Sequence, residues 1–331
     1  MAFRDLQRKI QNGLKSIIHV KELTLLVVWA VFVLVFWLIN QNYLSLGNIR
    51  NIFNSAFVMG TLAVGIACLL ISGKIDLSTG STGMLGGVII SLLLRDGMPW
   101  IPALILVLVF GAVTGLINSF FVNIMKFAPF ISTLAVSAVY GGISLVLTSG
   151  ANIPISNADF LLLGSMNIWV FPLSFLIMIV LLAAYGVLLF ATGFGRRAYI
   201  TGGNAIAARL AGINPAKITT ILFVNNGVLA SLVGSVLASR MHMGSPSAVV
   251  GADLDAITAV VLGGVAFTGG SGNMLGVFIG IMLITSFNNG LVVGGLNAYY
   301  QVIAKGLLLI AALVFDYYRE NARVKAQLSC E

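Results

Sequence analysis

The chain has 331 residues, of which 59% are hydrophobic and only 8% charged, with a formal net charge of +8. Soluble domains are about a quarter charged, so a mean hydropathy of +1.05 excludes an ordinary soluble fold. The apolar runs are long and do not alternate as barrel strands do, which leaves helices to satisfy the backbone in lipid: an all-α, polytopic helical membrane protein.

The segment Met1–Lys21 is basic and amphipathic, and His19 lies in it. The first apolar run, at about 23–40, is long enough to span and lacks a small-residue cleavage site, so it is expected to stay as a helix. Nine more runs follow, at about 52–72, 80–94, 99–122, 128–149, 166–192, 218–239, 253–268, 273–294 and 299–316, giving about ten transmembrane helices. The third and eighth are short for a straight crossing. Gly80, Gly83, Gly86 and Gly87 crowd the third, and Gly263 and Gly264 sit inside the eighth, so broken or half-crossing helices are expected there.

The positive-inside rule orients the set. With the N-terminus in the cytoplasm, fourteen of the 18 Lys and Arg residues fall inside and three, Arg50, Arg95 and Arg240, outside; Lys305 falls within the last span. Both termini are then cytoplasmic, and insertion plus an anionic inner leaflet account for the basic charge without nucleic acid. The implied organisation is a basic N-terminal segment at 1–22, a transmembrane domain at 23–316 with a cytoplasmic loop at about 195–217, and a cytoplasmic tail at 317–331. That loop carries Arg196, Arg197, Arg209 and Lys217 with no acid, a place for a soluble partner to push.

The two halves echo each other. Ile75-Asp76-Leu77-Ser78 precedes Gly86-Gly87-Val88, and Leu254-Asp255-Ala256-Ile257 precedes Gly263-Gly264-Val265. Asp76 falls inside and Asp255 outside, which suggests a five-plus-five inverted repeat.

Polar residues at membrane depth are few. Asp76 is expected to cap the next helix or pair with Lys74, and Asp253 and Asp255 to cap the eighth span. Asp316 closes the last span. Lys305 either snorkels or lines a polar passage. Asn118, Asn225, Asn226, Asn288 and Asn289 either bond across helices or line a path for a polyhydroxylated solute. Gly263–Gly264 and Gly269–Gly272 permit close helix approach. Enzyme chemistry finds no support: His19 and His242 are far apart, no metal-ligand cluster exists, and there is neither a G-x-S-x-G elbow nor a G-x-x-x-x-G-K-[ST] phosphate loop. Cys68 reads as an apolar filler, and Cys330 forms no ligand spacing or disulfide framework with it.

Gly73-Lys-Ile-Asp76-Leu-Ser78-Thr-Gly80, Pro129-Phe130-Ile-Ser-Thr133-Leu134, Gly202-Gly203-Asn204-Ala-Ile-Ala-Ala208-Arg209-Leu-Ala-Gly212-Ile213 and Leu254-Asp255 through Gly263-Gly264, with Gly269-Gly-Ser-Gly272 and Asn289-Gly-Leu291, resemble in order the motifs of ribose-type permeases, the membrane subunits of bacterial ABC importers for simple sugars. The resemblance covers about residues 45–316. It implies a permease in the bacterial inner membrane that pairs with a second permease, identical or homologous, and works with a cytoplasmic ABC ATPase and an extracytoplasmic sugar-binding protein. ATP and Mg would sit on the ATPase, and this chain would bind no cofactor. Gly202, Gly203, Asn204, Ala208, Arg209 and Gly212 would form the coupling element, and a bulky residue at Gly212 is expected to uncouple transport. Phe130, Thr133, Asn118, Asn288, Asn289 and Lys305 are the candidates for the translocation path; Asp76, Ser78, Asp255, Gly263 and Gly264 are the candidate structural motif. The binding protein would dock on outer loops near 40–51, 152–167 and 240–252. The sequence departs from the pattern at Lys74, Gly141-Gly142 and Asn225-Asn226, which bears on substrate. Three rival readings are a branched-chain amino acid ABC permease, an ion-coupled carrier working alone, and a receptor or scaffold with no transport role, against which ten spans with so little soluble mass argue.

Overall fold

The computed structural model describes residues 20–249, 251–297, 299–308, 310, 311 and 314. The segment before residue 20 with His19, and Asp316, Cys330 and the tail at 317–331, lie outside the described residues.

The chain opens with α1 (Val20–Ile39), then a 3-10 turn at Gln41–Leu44. The Ser45 hydroxyl accepts the Asn48 N–H and starts α2 (Leu46–Ile71), whose 26 residues span about 39 Å. α3 (Thr79–Arg95) follows a short linker, and α4 (Trp100–Ser119) runs on into a π turn at Phe120–Ile124. Pro129 begins α5 (Pro129–Thr148), where its missing N–H costs nothing. Next come β1 (Ile153–Pro154), α6 (Ala158–Ser165), and a hairpin of β2 (Asn167–Ile168) and β3 (Phe171–Pro172) with Trp169 at its tip. α7 (Leu173–Ala191), α8 (Gly193–Gly203) and α9 (Ala205–Leu210) lead to α10 (Pro215–Met241). β4 (Met243–Gly244) pairs antiparallel with β1. α11 (Ala252–Leu262) and α12 (Met274–Val293) follow, and residues 299–308 are helical.

Seven of the described helices are long and apolar enough to cross a membrane, and α3 is a shorter apolar helix. Each expected span between 23 and 294 corresponds to a helix, and α3 and the 11-residue α11 are the two short ones, as their glycines foretold.

α2 and α10 form the centre. From Ala56 to Ile71, α2 is almost wholly buried. α10 packs against α4 and α3, whereas α2 packs against α11, α12 and α7. Each central helix is therefore held by the opposite half of the chain. Small residues allow these close crossings: a Cβ on Gly234 of α10 would lie 1.7 Å from the Gly83 carbonyl oxygen of α3. The outer helices turn apolar side chains such as Val27, Leu38, Val146, Val180 and Phe190 outward, the distribution a lipid solvent requires.

The internal echo needs a correction of register. Asp76 corresponds to Asp253, not Asp255. With that match Leu77 falls on Leu254, and Leu85-Gly86-Gly87-Val88 falls on Leu262-Gly263-Gly264-Val265 at the same spacing. The structure brings the two segments together at their beginnings: a Cβ on Gly80 in the first turn of α3 would lie 3.3 Å from the Asp253 carboxylate carbon in the first turn of α11. From that meeting point α3 runs toward β4, where Gly244 packs on Ser91, and α11 runs the other way, toward the 263–273 loop beside Ile71.

Candidate functional site

Three groups of side chains occupy three depths of the bundle. At the end of α2 marked by Ile71, the segment from α8 to α10 forms a compact elbow. Asn204 ends α8 and starts α9, its side-chain oxygen accepting the Ile206 and Ala207 N–H groups at 2.9 and 3.0 Å. α9 closes in a left-handed Gly212 at φ +75, with the Ile213 N–H donating to the Ala208 carbonyl at 2.9 Å, the usual glycine-terminated helix end. Ala208 is buried beneath this turn, while Ile206 and Leu210 point outward, Leu210 87% exposed. Gly202 is the attachment point. A Cβ there would lie 1.9 Å from the Ile71 carbonyl oxygen and 2.8 Å from the Gly270 nitrogen. The Gly270 N–H itself donates to Ile71 at 2.9 Å, and Gly269 and Gly270 press on Gly73 and Gly203. Backbone thus meets backbone where α8, α2 and the loop between α11 and α12 join. The residues expected to couple are gathered here; Arg209 lies on the exposed side of α9.

At mid-depth lies a closed polar cluster around Asp76. One carboxylate oxygen accepts the Ser78 N–H and hydroxyl at 2.8 and 2.7 Å; the other accepts the side-chain amides of Asn118 and Asn226 at 3.1 and 2.9 Å. Asn118 also donates to Ser78, and Asn226 to Thr79. The Thr133 hydroxyl accepts the Leu77 N–H at 3.0 Å. All six polar side chains, Thr133 included, are buried. This corrects the expected Asp76–Lys74 pair: Asp76 is held by the side-chain amides of Asn118 in α4 and Asn226 in α10 and by the N–H and hydroxyl of Ser78 in its own linker. The Lys74 amine is instead held below its ordinary value by burial and, second, by the like charge of Lys126. Asn118 and Thr133 therefore sit in a closed cluster, not along an open path, and Phe130 is half-exposed on the outside of α5.

At the other end of α2 a cavity of about 470 Å³ opens between α2, α10, α11, α12 and the helical residues 299–308. Its wall carries Asn51, Ser55, Arg240, Thr285, Asn289 and Gln301 along with a three-residue constellation. The Lys305 ammonium donates to an Asp255 carboxylate oxygen at 2.9 Å, and the Asn288 amide donates to that same oxygen at 3.1 Å. Lys305 therefore neither snorkels nor stands free. Asp255 is not a helix cap: α11 begins after a left-handed Gly251 with no side-chain cap, and Asp253 accepts the N–H of its neighbour Leu254. Of the expected path residues, Asn288, Asn289 and Lys305 line this cavity together with Asp255. Sequence reasoning missed Asn51, Ser55 and Gln301. Asn51 and Ser55 lie one turn apart on one face of α2, a polar stripe at four-residue spacing that could have marked them. Among the described residues no group of His, Cys, Asp and Glu could hold a metal ion.

A model of the family described as "Branched-chain amino acid transport system / permease component" matches residues 48–313. The chain belongs to this family. It is 36% identical over 310 residues to the probable ABC transporter permease protein YphD of Escherichia coli strain K12, covering 93% of each chain. It is 35% identical over 290 residues to the ribose import permease protein RbsC of Bacillus subtilis strain 168, covering 86% of this chain and 89% of that one. It is 33% identical over 305 residues to the autoinducer 2 import system permease protein LsrC of Photorhabdus luminescens, covering 92% of each. No solved structure matches. The resemblance drawn from the motifs is borne out, and the chain is a multi-pass membrane permease of a transport system.

Proposed function

We propose that this chain is the permease subunit of an ABC importer that moves a simple sugar or sugar-like solute into the cytoplasm. An extracytoplasmic binding protein delivers the solute, and a separate ATPase supplies the driving force. The relatives named for ribose and autoinducer 2 import support the substrate class. Both termini and α9 face the cytoplasm of a bacterial inner membrane, as the distribution of Lys and Arg supports. A second permease, identical or homologous, completes the passage.

The observation that carries the coupling role is the glycine contact at Gly202. An ATPase that seats α9 through exposed Ile206 and Leu210 moves a short, rigid element. Because Gly202 rests on the Ile71 carbonyl and on Gly270, that motion enters α2 and the loop ahead of α12 directly. α2 and α12 line the outer cavity at their other ends, so a push at one membrane face changes the space at the other. This is a mechanical basis for alternating access.

The test is gentle extraction from the native membrane followed by ATP-driven uptake in vesicles. A stoichiometric ATPase with phosphate-loop motifs should copurify, and D-ribose uptake should need both ATP and the binding protein. L-leucine uptake in its place would move the assignment to the amino-acid reading that the family's description favours. Uptake that survives ATP depletion and collapses with an uncoupler would make the chain an ion-coupled carrier.

A further inference from the structure

We infer that the outer cavity is a solute-binding station inside the permease itself, one that recognises adjacent hydroxyls of a neutral polyol through Asp255, Asn288 and Lys305. This rests on the reading of the chain as a sugar permease and assigns selectivity to a place where a passive vestibule would have none.

The cavity has the volume of a small-molecule site, within the range of roughly 300–1,000 Å³. Its polar wall is mostly neutral amides and hydroxyls, contributed by Asn51, Ser55, Thr285 and Gln301 beside the constellation, with the Arg240 guanidinium as the one further charge. Asp255 and Lys305 neutralise each other at 2.9 Å and are partly exposed, with 18% and 37% of their side chains accessible. A neutral solute therefore meets no uncompensated charge from this pair. It meets an acceptor and a donor side by side, which is what two neighbouring hydroxyls need, since each hydroxyl both donates and accepts. Both bonds to Asp255 fall on one oxygen, which leaves the other carboxylate oxygen to accept from a solute hydroxyl. Bonds to a charged pair are stronger than bonds between neutral groups, yet the pair must be partly released to accept the solute. The station should hold its solute weakly, as a passage must.

The transporter is reconstituted whole, with its ATPase and binding protein, and D-ribose is the probe. Asp255→Asn and Asn288→Ala should each lower uptake by about tenfold at saturating loaded binding protein, the loss of one to two good hydrogen bonds, while ATP hydrolysis stays high. The double change Asp255→Leu with Lys305→Met separates binding from structure. It removes both charges and both hydrogen-bonding groups with side chains of similar volume, so a merely structural ion pair would be replaced at little cost and uptake restored; the station predicts uptake still low. As a measurement independent of those variants, Ser55→Cys should react with a membrane-impermeant thiol reagent from outside, and D-ribose should slow that reaction where L-leucine does not. Normal uptake in the single variants, restored uptake in the double variant, or labelling at Ser55→Cys indifferent to D-ribose would each overturn the station while leaving the importer reading intact. Absence of ATP- and binding-protein-dependent D-ribose uptake by the unmodified complex would instead overturn that reading and the station with it.

Discussion

At the scale of single residues the strongest constraint is Asp76. A buried carboxylate survives when every lone pair is used, and four bonds from Ser78, Asn118 and Asn226 do this. Asp76→Ala leaves the Ser78 N–H and parts of two amides without acceptors in the core. Each orphaned group costs about 1–3 kcal/mol, so a loss of about 3 kcal/mol is expected, with Asp76→Asn costing less because it keeps one acceptor. Thermal unfolding of the purified chain in detergent reads both; equal midpoints for Asp76→Ala and the unmodified chain would remove the cluster from the list of stabilising features. The residue types of this cluster were visible in the sequence, and so was the chance that Asn118 and Asn226 bond across helices. What was not visible is the partner. Lys74 is two residues away from Asp76, and nearness along the chain argued for that pair. A fold that turns the linker inward, against α4 and α10, decided otherwise. Lys305 and Asp255 show the same limit, since fifty positions separate an ion pair whose members read locally as a cation that snorkels or lines a passage and as a helix cap.

At the scale of elements the elbow of α8 and α9 separates two kinds of glycine. Gly212 is left-handed, and nothing lies within 4 Å of the position its Cβ would take. Gly212→Ala should therefore cost only the backbone term, about 1–2 kcal/mol, and leave the elbow attached. That narrows the expectation that Gly212 is the point where bulk uncouples transport. Gly202 is the point where no side chain fits, because backbone faces it on two sides. Gly202→Ala should abolish ATP-driven uptake while the chain still inserts, and Gly212→Ala should retain most of it. Uptake and membrane abundance measured together distinguish the two, and equal transport by both variants would place the mechanical link elsewhere. The position of the elbow was legible from its cations and small residues. The short helices α3 and α11 were legible from their glycines. Their head-to-head meeting was nearly so: the shared Asp-Leu and Leu-Gly-Gly-Val spacing is in the sequence, but the choice of Asp255 over Asp253 shifted it by two residues. A helix period tolerates such a slip among Gly- and Leu-rich segments, whereas the equal intervals from Leu77 to Leu85 and from Leu254 to Leu262 do not.

At the scale of the whole molecule, the two halves hold each other's central helix. α2 belongs to the first half by sequence but packs on α11 and α12; α10 belongs to the second but packs on α3 and α4. Lipid tails cannot replace these contacts, since helices in a bilayer associate through close packing and polar bonds, not through expulsion of water. The cluster at Asp76 makes the exchange polar as well as steric, because Asn226 of α10 donates into the linker ahead of α3. A cut between Gly150 and Ala151 tests this interlock. It spares the β1–β4 pair and the bonds of α6 to Ser239, both of which fall in the second fragment. Expressed alone, each fragment should insert and then be degraded, because a glycine-lined crossing face such as that of Gly83 and Gly87, or of Gly227 and Gly234, is left without its partner. Expressed together, the fragments should copurify and be protected, with the covalent link across Gly150 contributing little beyond proximity. Stable accumulation of either fragment by itself would mean that the halves fold as separate bodies, and would remove the interlock on which the proposed mechanical link from α9 depends.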